Sequence, residues 1–108
     1  MPERLKGKSA IITGGAGAMG AAQANLFASE GACICVADIN FEAAKTIANQ
    51  VNLAGGKAIA VRLDVRNSDD WHSAVDLSEQ QFGIVNILCN LAGSNFRVSF
   101  DEQTEDQW

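Results

Sequence analysis

The stretch that decides the fold is Ser9-Ala10-Ile11-Ile12-Thr13-Gly14-Gly15-Ala16-Gly17-Ala18-Met19-Gly20. A short apolar strand runs straight into a glycine-rich turn, and an alanine-rich helix is predicted after it. Gly14 suits a tight turn out of the strand, because glycine adopts positive φ without steric cost. The next glycines let backbone approach a phosphate or let the helix pack on the strand. A βα turn without any ligand also uses glycine, so the turn alone leaves a purely structural role open.

A carboxylate adds an independent signal, because Asp38 ends the next apolar run, Cys33–Asp38. A carboxylate at that position can accept both ribose hydroxyls of an adenosine and would repel a 2′-phosphate. No Arg or Lys stands at positions 17, 39 or 40 to bind such a phosphate. The turn and Asp38 together favour a site for NAD, although a solvated aspartate at a strand end is the alternative.

Strand-like and helix-like segments alternate along the remainder of the chain. The predicted elements are strand 9–13, helix 18–29, strand 33–38, helix 41–53, strand 58–65, a helix capped by Asn67 or Ser68 and ended by Gly83, and strand 84–91. A loop over residues 94–103 precedes a helix that begins at Thr104 and is interrupted at Trp108. This alternation predicts an α/β fold with a parallel sheet covered on both faces. The carboxyl ends of its strands would bring Asp38, Asp64-Val65 and Asn90 to one crevice.

Composition excludes several classes of function. The chain has 108 residues, 47% of them hydrophobic, and a net charge of −5, which predicts one globular unit without a broad nucleic-acid surface. Its apolar runs are strand-length, so we expect no membrane span, and the residues before the first strand predict no signal peptide. Cys33, Cys35 and Cys89 lie in apolar runs, and His72 is the single histidine. Buried reduced thiols in a cytoplasmic protein, without a metal site, are the better interpretation.

Four motifs in order resemble the short-chain dehydrogenase/reductase family. Its cofactor turn, Thr-Gly-x-x-x-Gly-x-Gly, resembles residues 13–20 except at one position. Its Asp-Val step resembles Asp64-Val65, and its Asn-Asn-Ala-Gly resembles residues 90–93, with Leu91 in place of the second Asn. The lead-in at residues 5–9 and the interrupted helix near Trp108 are also similar. The resemblance covers essentially the whole chain and implies the N-terminal part of a Rossmann-type doubly wound sheet, with strand order 3-2-1-4.

The resemblance implies a role for each matching residue. The turn would hold the pyrophosphate and the nicotinamide ribose through Gly14, Gly15, Ala16, Gly17, Met19 and Gly20. Asp38 would bind the adenosine ribose and select NAD, and Asp64 and Val65 would contact adenine. Asn90 would mainly stabilise the central sheet, and Ala92 and Gly93 would line the ribose side of the cofactor.

Two departures from the family pattern have consequences. Ala18 stands where the family usually has glycine; we expect it to lie in the first helical turn, where alanine is tolerated. The family's catalytic Ser, Tyr and Lys lie beyond its fourth helix, and this chain contains no tyrosine. No catalytic residue is therefore assigned, and we expect residues 1–108 to be the partial dinucleotide-binding domain of a longer protein.

The resulting prediction is the cofactor-binding part of an NAD-dependent oxidoreductase. The implied reaction transfers hydride between NAD(H) and an alcohol or carbonyl substrate, and the full-length form is expected to be a homo-oligomer. Two alternatives stay open. One is a non-catalytic NAD-binding module or a half-domain that depends on a partner chain. The other is a flavodoxin-like domain that binds a mononucleotide, which the position of Asp38 disfavours.

Overall fold

A computed structural model describes residues 5–14 and 17–90 of the chain. Within these ranges strands and helices alternate. They are β1 (Ser9–Thr13), α1 (Ala18–Ser29), β2 (Cys33–Asp38), α2 (Phe41–Leu53), β3 (Lys57–Arg62), α3 (Ser68–Phe82) and β4 (Ile87–Asn90). The three helices and the first two strands have the predicted bounds. The predicted helix after Thr104 lies outside the described residues.

The four strands form one parallel sheet in the order β3-β2-β1-β4, which confirms the predicted topology. In the register, Thr13 is opposite Ala37 on β2 and Asn90 on β4, and Asp38 is opposite Arg62. Because all strands run in one direction, their last residues share one edge of the sheet. We call this edge, formed by Thr13, Asp38, Arg62 and Asn90, the carboxyl edge.

Two apolar clusters, one on each face of the sheet, hold the helices in place. On one face, α1 and α2 pack through Ala24, Ala44 and Ile47 on alternate residues of the strands, such as Ile12 and Ile34. On the other face, α3 packs through Trp71 and Ala74 on Ile11, Cys35 and Val61. Helices therefore cover both faces, as a doubly wound sheet requires.

The third strand is shorter than predicted, and this corrects the placement of two candidate site residues. We expected a strand over residues 58–65, but β3 ends at Arg62, so Asp64 and Val65 follow the strand instead of ending it. Leu63 N still donates to Asp38 O at 3.0 Å, but Asp38 is the last residue of β2. Asp64 N instead donates to the Asp70 carboxylate. Side-chain hydrogen bonds thus replace the strand ladder at this point.

The fourth strand also begins later than the predicted residue 84. Ile84 is exposed, and β4 starts at Ile87. Gly83 ends α3 with φ +87°, and the chain first meets β1 at Asn86. There Asn86 N donates to Ser9 O at 2.9 Å, and Ser9 N donates to the Asn86 side-chain oxygen at 3.0 Å. The apolar character of Ile84 and Val85 therefore extended the prediction beyond the residues that pair.

Candidate cofactor site

In the described residues, the start of α1 that follows the β1 turn has a glycine cap and no side-chain cap. Gly14 adopts φ +68°, a value that L side chains rarely take, and Gly17 N lies 3.4 Å from Gly14 O. Gly17 is the N-cap of α1, and no side chain among the described residues caps the first turn, which contains no acidic residue. The first helical N–H groups and the positive end of the helix dipole are a ready site for an anion.

Packing against the described residues does not explain the glycine at position 17. Gly17 has φ −81° and ψ 175°, a conformation open to any residue. Among residues 5–14 and 17–90, an added Cβ would meet only Gly14 O, at 3.8 Å, an ordinary van der Waals distance. Gly20, by contrast, is buried on the packed side of α1. A close approach of an external group to Gly17 would account for the missing side chain.

Ala18 is the first residue of α1, and no non-glycine residue in the described ranges has positive φ. The departure from the family glycine is thus accommodated by ordinary helical backbone, as expected. Met19, another candidate site residue, is 67% exposed in the same turn.

Asp38 lies on the carboxyl edge, where β2 passes into α2. Its Oδ1 accepts a hydrogen bond from Asn40 N at 2.9 Å, which fixes the carboxylate in the turn before the helix. The Asn40 side chain in turn caps α2 by accepting from Ala43 N at 3.1 Å. The side chain of Arg62, opposite Asp38 in the register, is directed to Asp70, with Nη1 3.6 Å from Oδ2.

Thr13 and Asn90 join β1 to β4 on the same edge. The Thr13 hydroxyl is fully buried and donates to the Asn90 side-chain oxygen at 2.8 Å. The hydroxyl also lies 3.4 Å from Cys89 O. This side-chain bond joins the last residues of β1 and β4 and so holds these two neighbouring strands together at the carboxyl edge.

Asp64 and Val65 lie in the β3–α3 loop, residues 63–67. The Asp64 carboxylate accepts from Arg66 N at 3.0 Å and from Arg66 Nε and Nη2, each at 3.2 Å. These bonds from Arg66 lower the pKa of the Asp64 carboxyl. The carboxylate therefore stays ionised as an acceptor, with the side chain 23% exposed. Val65 N donates to none of the described residues, whereas Val65 O accepts from Trp71 Nε1 at 2.8 Å.

Comparison with known proteins places this arrangement in a family. The sequence model described as short chain dehydrogenase matches residues 8–108. The chain is 42% identical over 108 residues to the 2,5-dichloro-2,5-cyclohexadiene-1,4-diol dehydrogenase of Sphingobium indicum, covering all of this chain and 43% of that protein. It is 37% identical over 103 residues to the 7alpha-hydroxysteroid dehydrogenase of Escherichia coli, covering 95% of this chain and 40% of that enzyme.

The chain belongs to the short-chain dehydrogenase family. The crystal structure of a proposed D-mannonate oxidoreductase of Haemophilus influenza, which holds bound NAD, matches with a TM-score of 0.80. It is 32% identical, and the match covers 95% of this chain and 39% of that one. The chain thus spans about two fifths of the length of these relatives.

Membership of the short-chain dehydrogenase family makes the candidate residues comparable as one set. Of those inferred from the sequence, the structure describes Gly14, Gly17, Met19, Gly20, Asp38, Asp64, Val65 and Asn90. Gly15, Ala16, Ala92 and Gly93 lie outside the described residues. The described members lie at the carboxyl edge, in the β3–α3 loop, or in the turn after β1 and the first residues of α1.

Sequence reasoning missed the side chains that hold the β3–α3 loop. The sequence pattern predicts Asp70 as a carboxylate that suits the helix dipole and Trp71 as a core residue, and it predicts no role for Arg66. An arginine two residues after a loop aspartate was a usable signal, since the pair can close a local ion pair. Nothing in the local sequence identified the Trp71 indole N–H as a donor to the loop.

The three thiols take no part in the candidate cofactor site, and the described ranges contain neither a metal-binding cluster nor a membrane-spanning helix. Cys33, Cys35 and Cys89 are free, and burial raises the pKa of Cys35 to about 12, so its thiol stays protonated as an apolar group. Across residues 5–14 and 17–90 no group of three or more His, Cys, Asp or Glu could hold a metal ion. No helix in those ranges has the length and apolar character needed to cross a membrane.

Proposed function

We propose that this chain is the cofactor-binding part of an NAD-dependent oxidoreductase that interconverts an alcohol and a carbonyl compound. The observation that carries the proposal is the open N-terminus of α1 behind Gly14, with Asp38 at the end of the neighbouring strand. The bound nicotinamide would supply the hydride acceptor or donor. The described residues would bind and orient the dinucleotide.

The pyrophosphate end of the site would use backbone groups. The N–H groups of the first turn of α1 would donate to phosphate oxygens, with Gly17 allowing close approach. Gly14 and Gly20 would shape the turn and the packing of α1, and Gly15, Ala16 and Met19 would complete the binding segment. This assignment suits an acidic chain, because it needs no cationic side chain.

The adenosine end would use carboxylates and one backbone donor. Asp38 would accept from the ribose hydroxyls, and its charge would repel the 2′-phosphate of NADP. Adenine presents an amino donor beside a ring acceptor, which complement the Asp64 carboxylate and Val65 N–H. Asn90 would hold the sheet beneath the cofactor, and Ala92 and Gly93 would continue its binding surface.

We further propose that the protein is cytoplasmic, forms a homo-oligomer and acts on a small alcohol or carbonyl substrate. The three free thiols support the cytoplasmic location. The net charge of −5 disfavours nucleic acid as a partner.

Titrations of NAD, NADP and FMN into the protein test the cofactor assignment. We expect the dissociation constant of NAD to be at least about tenfold lower than that of NADP, a difference of about 1.4 kcal/mol in binding free energy. We expect FMN not to bind. Asp38→Asn keeps the shape of the side chain but removes its charge, and it should reduce the preference for NAD over NADP. Asp76→Asn removes an exposed charge on α3 and should leave the preference unchanged. Equal binding of NAD and NADP would contradict the role of Asp38, and FMN binding would favour the mononucleotide alternative.

A further inference from the structure

The β3–α3 loop is positioned by side chains of α3, and this has consequences for adenine recognition. The loop lies beyond the last residue of β3, so the regular strand ladder does not fix it. Leu63 N, bonded to Asp38 O, is the last backbone link to β2. The orientation of Asp64 and Val65 therefore depends on other contacts.

Two consecutive residues in the first turn of α3 supply two of those contacts, beside the bond within the loop from Asn67 N to Asp64 O at 2.9 Å. Asp70 Oδ2 accepts from Asp64 N at 2.9 Å, and Trp71 Nε1 donates to Val65 O at 2.8 Å. One bond holds the peptide group before Asp64, and the other holds the peptide group after Val65. The peptide N–H between them, that of Val65, donates to no residue in the described part of the chain.

The two supports are themselves held in place. Trp71 is only 7% exposed and packs with Ile11, Cys35 and Leu63 beneath the sheet, so its indole N–H has a fixed direction. The Asp70 side chain is 24% exposed, with Arg62 Nη1 3.6 Å from the same oxygen that binds Asp64 N. The loop thus rests on a core residue and on a paired carboxylate.

We propose that Asp70 and Trp71 are positioning residues that set the Asp64 carboxylate and the Val65 N–H to recognise adenine. This inference rests on the proposed function and adds to it a source of base specificity. Neither residue contacts the base; each acts through the peptide groups of the loop. An adenine edge needs an acceptor beside a donor, and a small rotation of either peptide would misalign the pair.

The test compares NAD with nicotinamide hypoxanthine dinucleotide, in which a carbonyl replaces the adenine amino group and the adjacent ring nitrogen carries a proton. The analogue reverses both hydrogen bonds of the base edge, so the ratio of the two dissociation constants measures edge recognition. We expect the unaltered protein to favour NAD. Trp71→Phe, which keeps an aromatic ring but removes the N–H, should reduce the ratio by about fivefold, the effect of one ordinary hydrogen bond.

Asp70→Ala gives an independent variant in case Trp71→Phe does not fold, and it should reduce the ratio similarly. Asp69→Ala is its matched control, because Asp69 lies in the same helical turn but its side chain makes no bond to the loop. Val75→Ala controls for loosened α3 packing, since Val75 packs on the same cluster as Trp71. Both controls should keep the ratio of the unaltered protein, even where stability falls.

The outcomes separate this inference from the proposed function. If the unaltered protein binds neither dinucleotide, the proposed function fails. If it binds NAD but does not distinguish the analogue, or if the ratio is unchanged in Asp70→Ala and in a folded Trp71→Phe, the positioning role is overturned. A reduced ratio in those variants but not in Asp69→Ala or Val75→Ala supports it.

Discussion

The helices α1 and α3 both begin next to the carboxyl edge, but their first turns are built in opposite ways. At α3 the Asn67 side chain accepts from Asp69 N at 2.9 Å and from Asp70 N at 3.2 Å, and two carboxylates lie in the first turn. At α1 the cap is Gly17, without a side-chain acceptor or an acidic residue. Within the described part of the chain, side chains satisfy the first N–H groups of α3, and no side chain does so at the start of α1.

This difference explains why an acidic chain is compatible with a dinucleotide. The carboxylates of α3 lie where they stabilise a helix and hold the β3–α3 loop. None of the acidic residues lies in the first turn of α1, where it would compete with a phosphate. Acidic side chains are thus present in the first turn of α3 and absent from the first turn of α1.

Placing a carboxylate at the start of α1, as the first turn of α3 has, should produce the largest effect on NAD affinity. Gly17→Asp would place a carboxylate at the cap of α1, and we expect NAD affinity to fall by about 100-fold through competition and repulsion. Gly17→Asn, which has the same shape without the charge, is the matched control and should lose distinctly less. The measurement is a calorimetric titration with NAD. Unchanged affinity in Gly17→Asp would show that no phosphate lies at this helix end.

Removing the cap of α3 should affect stability more than binding at α1. Asn67→Ala deletes the acceptor of two backbone N–H groups, and we expect the free energy of unfolding to fall by about 1 kcal/mol. Urea denaturation measures the change, with Asn67→Asp, which retains an acceptor, as the control. A loss in Asn67→Asp equal to that in Asn67→Ala would contradict a capping role for the side chain.

Restoring the family glycine at the start of α1 should have the smallest effect. Ala18 already has helical backbone, so we expect Ala18→Gly to change NAD affinity by less than about tenfold. Ala22→Gly, at an exposed position later in α1, controls for the general cost of glycine in a helix. A gain of tenfold or more in Ala18→Gly alone would mean that alanine restricts the turn.

Much of the fold could be predicted because its signals are local. Alternating apolar runs and glycines gave correct bounds for all three helices, and the parallel order 3-2-1-4 followed from the alternation together with the family resemblance. Strand ends were less predictable. Ile84 is as apolar as a buried strand residue but lies before the first pairing with β1, and Asp64 follows a strand whose neighbour β2 has already ended at Asp38.

The sequence by itself determined the elements, the family and the short list of candidate residues, because each depends on residue type and spacing along the chain. Only the tertiary structure decided which donor and acceptor groups form hydrogen bonds with one another. The Trp71 indole reaches Val65 O, Asp70 reaches Asp64 N, and the Thr13 hydroxyl reaches Asn90 across two strands. Thr13 and Asn90 lie 77 residues apart along the chain and meet only after β1 and β4 pair, and the other two bonds, each spanning 6 residues, form only where the chain turns from β3 into α3.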